Sequence, residues 1–191
     1  MNEEKQRLLA IIRELYGRVA WSHKTHEKER ELSTRRAKRD RWINVVLMAL
    51  TTTGILASIP LQNPWATITA ALLAAISTGF AIYQISFSTE IEVYRQRQAA
   101  KSLLLERERL VLLIERVMAD DSSARDIRKE LETTIERIGQ IYSSSPDTSD
   151  KAFKMASEGL KFNEELTFSD KEIDALLPEE LRAVARSSTN N

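Results

Sequence analysis

The chain has 191 residues, a formal net charge of zero and no cysteine, which excludes disulfide staples, thiol catalysis and thiolate metal sites. Its mean hydropathy of −0.33 and 29% charged residues are soluble-protein averages, but the charge is unevenly placed. Residues 1–41 carry twelve Lys/Arg and seven Asp/Glu, so that arm is +5 and the remainder −5.

Five glycines, four prolines and no alternating β-branched run point to long regular elements, so the expected fold class is all-α. Residues 1–41 read as a cytoplasmic amphipathic and basic helix. Leu8, Ile12, Leu15 and Val19 recur at helical spacing, and Leu9, Ile11 and Tyr16 widen that face. From His23 to Asp40 the stretch is mostly charged, and such a helix is either solvated or supported by partners. Gly17 is a soft point rather than a stop. Arg35, Arg36, Lys38, Arg39 and Arg41 then place five positive charges directly before an apolar block.

That block, 42–89, holds no Asp, Glu, Lys or Arg. Ile59-Pro60-Leu61-Gln62-Asn63-Pro64 divides it into spans of about 42–59 and 65–87. The first is 18 residues, about 27 Å as a helix, at the short end of what crosses ~30 Å of hydrocarbon. The second is 23 residues, about 34 Å, and crosses with some tilt. Pro60 is expected to stop one helix and Pro64 to open the next. The expectation is a transmembrane hairpin with its proline-bracketed turn outside. The five basic residues before the first span, and Arg95, Arg97 and Lys101 after the second, put both termini in the cytoplasm. Trp42 and Trp65 then lie at opposite interfaces. A signal peptide fits poorly, because a long charged arm precedes the first span and a second span follows. The competing reading, a buried hairpin inside a soluble bundle, needs apolar surface on every side, and the other helices each offer a single apolar face.

The spans are not purely aliphatic. Asn44, Thr51 and Ser58 are seven apart on the first, and Ala70, Ser77 and Gln84 are seven apart on the second. A Ser or Thr hydroxyl can satisfy itself on its own i−4 carbonyl, whereas Asn44 and Gln84 prefer protein or water. Asn44, Thr51, Ser58, Ser77 and Gln84 are therefore candidate pore-lining residues. The alternative is that they hydrogen-bond between helices. A separate row, Ala71, Ala75 and Gly79, allows close helix packing between protomers. Two spans cannot enclose a lumen, so a pore implies a homo-oligomer of four or more chains.

Beyond the block, 90–142 reads as cytoplasmic helices. Ile91, Tyr94, Leu103, Leu104, Leu110, Leu113, Ile114 and Val117 mark one stripe, ended by Asp120-Asp121-Ser122-Ser123. A helix of about 124–142 follows, with Ile127, Leu131, Ile135, Ile138 and Tyr142 as its face. Residues 143–191 read as a linker and a C-terminal helical region: a helix at 149–161 bearing Phe153, Met155 and Leu160, then a capping box at Ser169 and Glu172, a last helix from Pro178 to Ala185, and a disordered end at 187–191.

No phosphate-cradling loop and no catalytic constellation occurs, so no enzyme activity and no cofactor are expected. His23 and His26, with Glu27 and Glu29 nearby, have metal-ligand spacing, but Arg30 puts a positive charge where a cation would sit. A solvated surface cluster is the expectation, with no metal. The basic run suits the anionic headgroups of a lipid bilayer better than nucleic acid.

The stretches LYGRVAWSHKTHEKE and RRAKRDRW, the uncharged NVVLMALTTTGILA…ALLAAISTGF and the long charged helix after them together resemble the SLATT family over roughly residues 5–160. SLATT stands for SMODS- and SLOG-associating two-transmembrane effector domain. The resemblance implies a bacterial inner-membrane effector of anti-phage or conflict systems. Such an effector oligomerises to form a pore or disrupt the membrane when a nucleotide-second-messenger synthase or nucleotide-sensing partner is activated. A membrane-anchored helical scaffold without a pore is the alternative.

Overall fold

The computed structural model describes residues 3–61, 64–86 and 89–161, without the side chains of 57–61 and 66. All regular structure among them is helical: α1 (Glu3–Leu61), α2 (Pro64–Ser86), α3 (Thr89–Met118), α4 (Ala124–Ser144) and α5 (Asp150–Lys161). The expected capping box at Ser169/Glu172, the helix from Pro178 and the tail at 187–191 lie outside the described residues. So does the join at 87–88, where one helix is expected to run on into the next.

α1 is the spine. It is 59 residues long, about 88 Å, and unbroken at Gly17 and across the boundary between the basic arm and the apolar block. It also passes through Pro60 and ends one residue later, so Pro60 lies in the last turn rather than stopping the helix before it. One residue from the end, the proline removes a single ladder bond, the one Leu56 O would accept, and no further turn is built on it. Pro64 is the first residue of α2, where its missing N–H costs nothing.

The first forty residues of α1 carry the bundle. Leu8, Ile12, Leu15 and Val19 pack with Leu103, Leu110, Leu113 and Val117 of α3 and Ile127, Leu131 and Ile138 of α4 in one core. Leu9 and Tyr16 flank that core, while Ile11 stays exposed. α3 ends in a turn through Asp120, whose φ of 62° is left-handed, and its carboxylate pairs with Lys5 of α1. Ser123 caps α4, its hydroxyl accepting from Asp126 N at 3.2 Å. α4 runs parallel to α1, with Arg128 on Glu4 at 2.9 Å and the Tyr142 hydroxyl on Ser22 Oγ at 3.0 Å further along.

Three of the expected faces change. On α3, Ile91 and Tyr94 are exposed, and Gln96, Ala99 and Glu106 share the buried side with Leu103, Leu110, Leu113 and Val117. On α4, Thr134 is buried in place of Ile135, and Ile135 and Tyr142 are exposed. The two neighbouring positions compete for one arc, and Thr134 satisfies its hydroxyl on Glu130 O at 2.8 Å, so its burial costs little. On α5, the buried residues are Ala152, Ala156 and Gly159, small side chains that bring it close to α1. Phe153 is exposed and sets its ring 5.5 Å from that of Trp21, while Met155 and Leu160 are half-buried.

Beyond residue 41, α1 runs alongside α2. A Cβ added at Gly54 would lie 3.9 Å from Ala70 Cβ, and the Gln84 amide donates to Asp40 O at 2.7 Å, so the two helices run in opposite directions. Apolar side chains of this pair point outward: Trp42 is 70% exposed, Leu56 63%, Leu72 60% and Trp65 73%.

Candidate functional site: the polar seam of α1 and the apolar helix pair

Of the two readings of the charged stretch, residues 23–33 follow the one in which partners support it, and the cluster at His23, His26 and Glu29, expected to be a solvated surface, is buried. His23, Lys24, Thr25, His26, Glu29, Leu32 and Ser33 are all buried, because α3 covers one side and α5 another. Buried polar groups need partners, and this stretch supplies specific ones. His23 Nδ1 donates to Ala100 O at 2.9 Å. His26 Nδ1 lies 2.6 Å from Gln96 Oε1. That oxygen only accepts, so the proton sits on Nδ1. The Gln96 amide nitrogen donates onward to Asp147 O at 2.8 Å, and Gln96 thereby ties α1, α3 and the α4–α5 linker together. Glu29 Oε2 receives Ser149 N at 2.7 Å and Ser149 Oγ at 2.5 Å, a carboxylate docked on the N-terminus of α5. Ser33 Oγ donates to Glu92 at 3.3 Å.

Burial disfavours the charged form of His23 and pushes its pKa below the ordinary 6.5. The Ala100 carbonyl and Glu27, whose Oε2 lies 3.7 Å from His23 Nε2, act against that shift, and Arg107 and Lys24 act with it. The two imidazoles turn their Nδ1 atoms to separate partners on α3. Among the described residues no group of three or more His, Asp or Glu side chains is placed to hold a metal.

A second buried charge, Glu106 on α3, is met by Arg137 Nε at 3.2 Å on both oxygens and by Arg109 at 2.5 Å. Neither Gln96 nor Glu106 stands out in the sequence. Both sit in register with the apolar stripe: 92, 96, 99, 103, 106, 110, 113 and 117 share one face. Polar residues on an apolar register are the available signal.

The candidate pore-lining residues fall where α1 and α2 meet. Asn44 and Thr51 on α1 and Ser77 and Gln84 on α2 are half-buried. The side chain of Ser58 lies outside the described residues. Thr51 bonds Leu47 O at 2.8 Å, and Thr52, Thr53, Thr69 and Thr78 likewise bond their i−4 carbonyls. Gln84 is held by Asp40 O, whereas Asn44 Oδ1 is buried with no partner among the described residues. Ala71, Ala75 and Gly79 lie on the outside of the pair, and a Cβ added at Gly79 would meet nothing within 4 Å. Arg35, Arg36, Lys38, Arg39 and Arg41 lie on the surface, just before Trp42.

One helical stretch among the described residues, Thr67–Met118, contains a segment apolar and long enough to cross a membrane by length and composition. Only 11% of its most apolar window is buried, whereas the core helix of a soluble protein would be mostly buried. Outward-facing apolar surface on an all-helical arrangement, as the described residues show, is the pattern of a helical membrane protein with a cysteine-free helical domain attached. Residues 8–172 match the model of the SMODS and SLOG-associating 2TM effector domain family 4, and the chain belongs to that family. No curated protein and no solved structure matches the chain.

Proposed function

We propose that the chain is an inner-membrane effector of a bacterial conflict system, which assembles through α2 and permeabilises the membrane when its helical bundle is repacked. The carrying observation is the continuity of α1, which leaves the bundle and enters the apolar pair without a break. Any rearrangement of α3 or α5 on the first half of α1 is therefore delivered directly to the second. In the resting protomer, Asn44, Thr51, Ser77 and Gln84 face the partner helix, and the Ala71/Ala75/Gly79 row faces outward, free to pack a second copy. Activation would separate α1 from α2, turning the polar faces toward a shared lumen in an assembly of four or more copies. Both termini are cytoplasmic in this reading. The signal comes from a nucleotide-second-messenger synthase or nucleotide-sensing partner of the kind the family name carries. Catalysis and a cofactor have no place in the mechanism.

Leakage of a dye from vesicles carrying the full chain and its activated partner tests the proposal. Replacing Gln84 or Thr51 by Leu should reduce leakage while assembly persists, and unchanged leakage removes these residues from the path. A second reading, a membrane-anchored scaffold, is favoured by one observation: Gln84 is already satisfied by Asp40 O within the protomer. It predicts that an unrelated two-span anchor can replace 42–89 with full activity.

A further inference from the structure

Where α1, α2 and α3 converge there is a cavity of about 170 Å³, lined by Ala37, Asp40, Arg41, Tyr83, Gln84, Thr89 and Glu90. Its volume exceeds by about an order of magnitude the space one water needs. Its level in the fold is set by sequence: Arg41 is the last charged residue before the uncharged block and Glu90 the first after it. If the block spans the bilayer, the reading on which this inference rests, the cavity opens at the depth of the lipid headgroups.

Its lining carries both signs of charge with bonding capacity to spare. Arg41 pairs with Glu90 through one guanidinium nitrogen and one carboxylate oxygen, leaving Arg41 Nη1 and Nε and Glu90 Oε2 without partners among the described residues. Asp40 Oδ1 takes both contacts from Arg39, at 3.1 and 3.0 Å, which leaves Oδ2. The Asp40 side chain is 20% exposed, whereas Arg41 and Glu90 are each more than 70% exposed. A pair that exposed contributes little on its own, so exchanging it for a ligand of matching polarity costs little. The required ligand has an ammonium and a phosphate a few bonds apart. A purely anionic headgroup would face two carboxylates. A quaternary ammonium would fill the space but donate no N–H bond, whereas a primary ammonium offers three.

We propose that this cavity binds the headgroup of an aminophospholipid, its ammonium between Asp40 and Glu90 and its phosphate on Arg41. The bound lipid braces the joint between the membrane pair and the bundle, because its contacts come from both α1 and α3.

The test is lipid retention by the purified full-length protein, read by native mass spectrometry. Phosphatidylethanolamine, phosphatidylcholine and phosphatidylglycerol with identical acyl chains are compared. Phosphatidylethanolamine should be retained on the order of tenfold more tightly than phosphatidylcholine, the scale of one charge-assisted hydrogen bond. Glu90→Gln should remove that preference, and Arg41→Gln should weaken retention of all three lipids. Both residues are exposed, so neither change threatens folding. Equal retention of the three lipids, or strongest retention of phosphatidylglycerol, overturns the assignment. Competition by water-soluble glycerophosphoethanolamine at equal strength also overturns it, in favour of a free metabolite. Flotation with vesicles separates the two levels of failure: a chain that does not float refutes the membrane reading, and one that floats without lipid preference refutes only this site.

Discussion

The two halves of α1 are one helix with opposite rules of burial. Between residues 22 and 33 its polar side chains are inside: His23, His26, Glu29 and Ser33 are buried against α3 and α5. Among the described side chains from 42 to 56, the large apolar ones face outward: Trp42, Val45, Met48 and Leu56 are exposed, and α2 packs alongside. A single solvent cannot favour both arrangements. In water, apolar surface is driven inward at ~25 cal/mol per Å² and buried polar groups survive only when paired. In hydrocarbon the outward apolar side chains carry no such penalty, and helix contact relies on small residues and hydrogen bonds, as at Gly54–Ala70 and Gln84–Asp40.

The contrast can be broken at several depths. The largest effect should come from Leu110→Ala, which empties a fully buried core position shared by α1, α3 and α4 and should destabilise the bundle by about 2–5 kcal/mol in chemical denaturation. Leu56→Ala, the same chemical change on the outward face beyond residue 42, should alter stability by only about 0.5 kcal/mol. Equal losses at the two sites would mean that both halves of α1 share one environment.

Next comes the polar seam. Gln96→Leu strands His26 Nδ1 and Asp147 O at once and should cost about 1–3 kcal/mol. Hydrogen exchange should speed up in the linker and α5 as well as at α3, since Gln96 at Asp147 is one of two ties from the bundle to the linker, beside Glu29 at Ser149.

A smaller effect is expected from pH. His23 has a folded pKa below its unfolded value of 6.5, so as pH falls the unfolded chain takes up this proton first. The stability owed to neutral His23 is complete above about pH 6.5 and is lost progressively as pH drops through 6.5 toward the folded pKa. Denaturation midpoints at pH values on either side of that ordinary pKa should show the loss, and His23→Gln should flatten the slope in this window.

Much of this was legible in the sequence, for reasons tied to particular residues. Leu8, Ile12, Leu15 and Val19 announce a core face because steps of 4, 3 and 4 return to one side of a helix but alternate between both sides of a strand. The SLATT resemblance extended to a family match over residues 8–172. Charge is equally readable: the gap from 42 to 89 coincides with the helix pair whose large apolar side chains face outward. The seam was not readable. His23, His26 and Glu29 look like a solvated surface because hydropathy records transfer cost and not the partner that offsets it, and those partners are 70 to 120 residues away. Ile135 misleads for a related reason. Its neighbour Thr134 finds its own acceptor in the Glu130 carbonyl, so the less apolar residue could take the buried place. On α5, reading the large residues Phe153, Met155 and Leu160 as the face overlooks that close helix approach selects the small ones, Ala152, Ala156 and Gly159.

The central claim is that α1 leaves a water-soluble bundle and enters lipid without interruption. The absence of native cysteine permits single nitroxide labels at Glu31, Met48 and Leu72 in the full chain reconstituted into vesicles. Collision rates with oxygen, which concentrates in hydrocarbon, and with a polar nickel chelate, which stays in water, then report each site's surroundings. Labels at Met48 and Leu72 should collide readily with oxygen and hardly with nickel, and the label at Glu31 should show the reverse bias. Nickel access at Met48 and Leu72 equal to that at Glu31 would place the apolar pair in water and contradict the account.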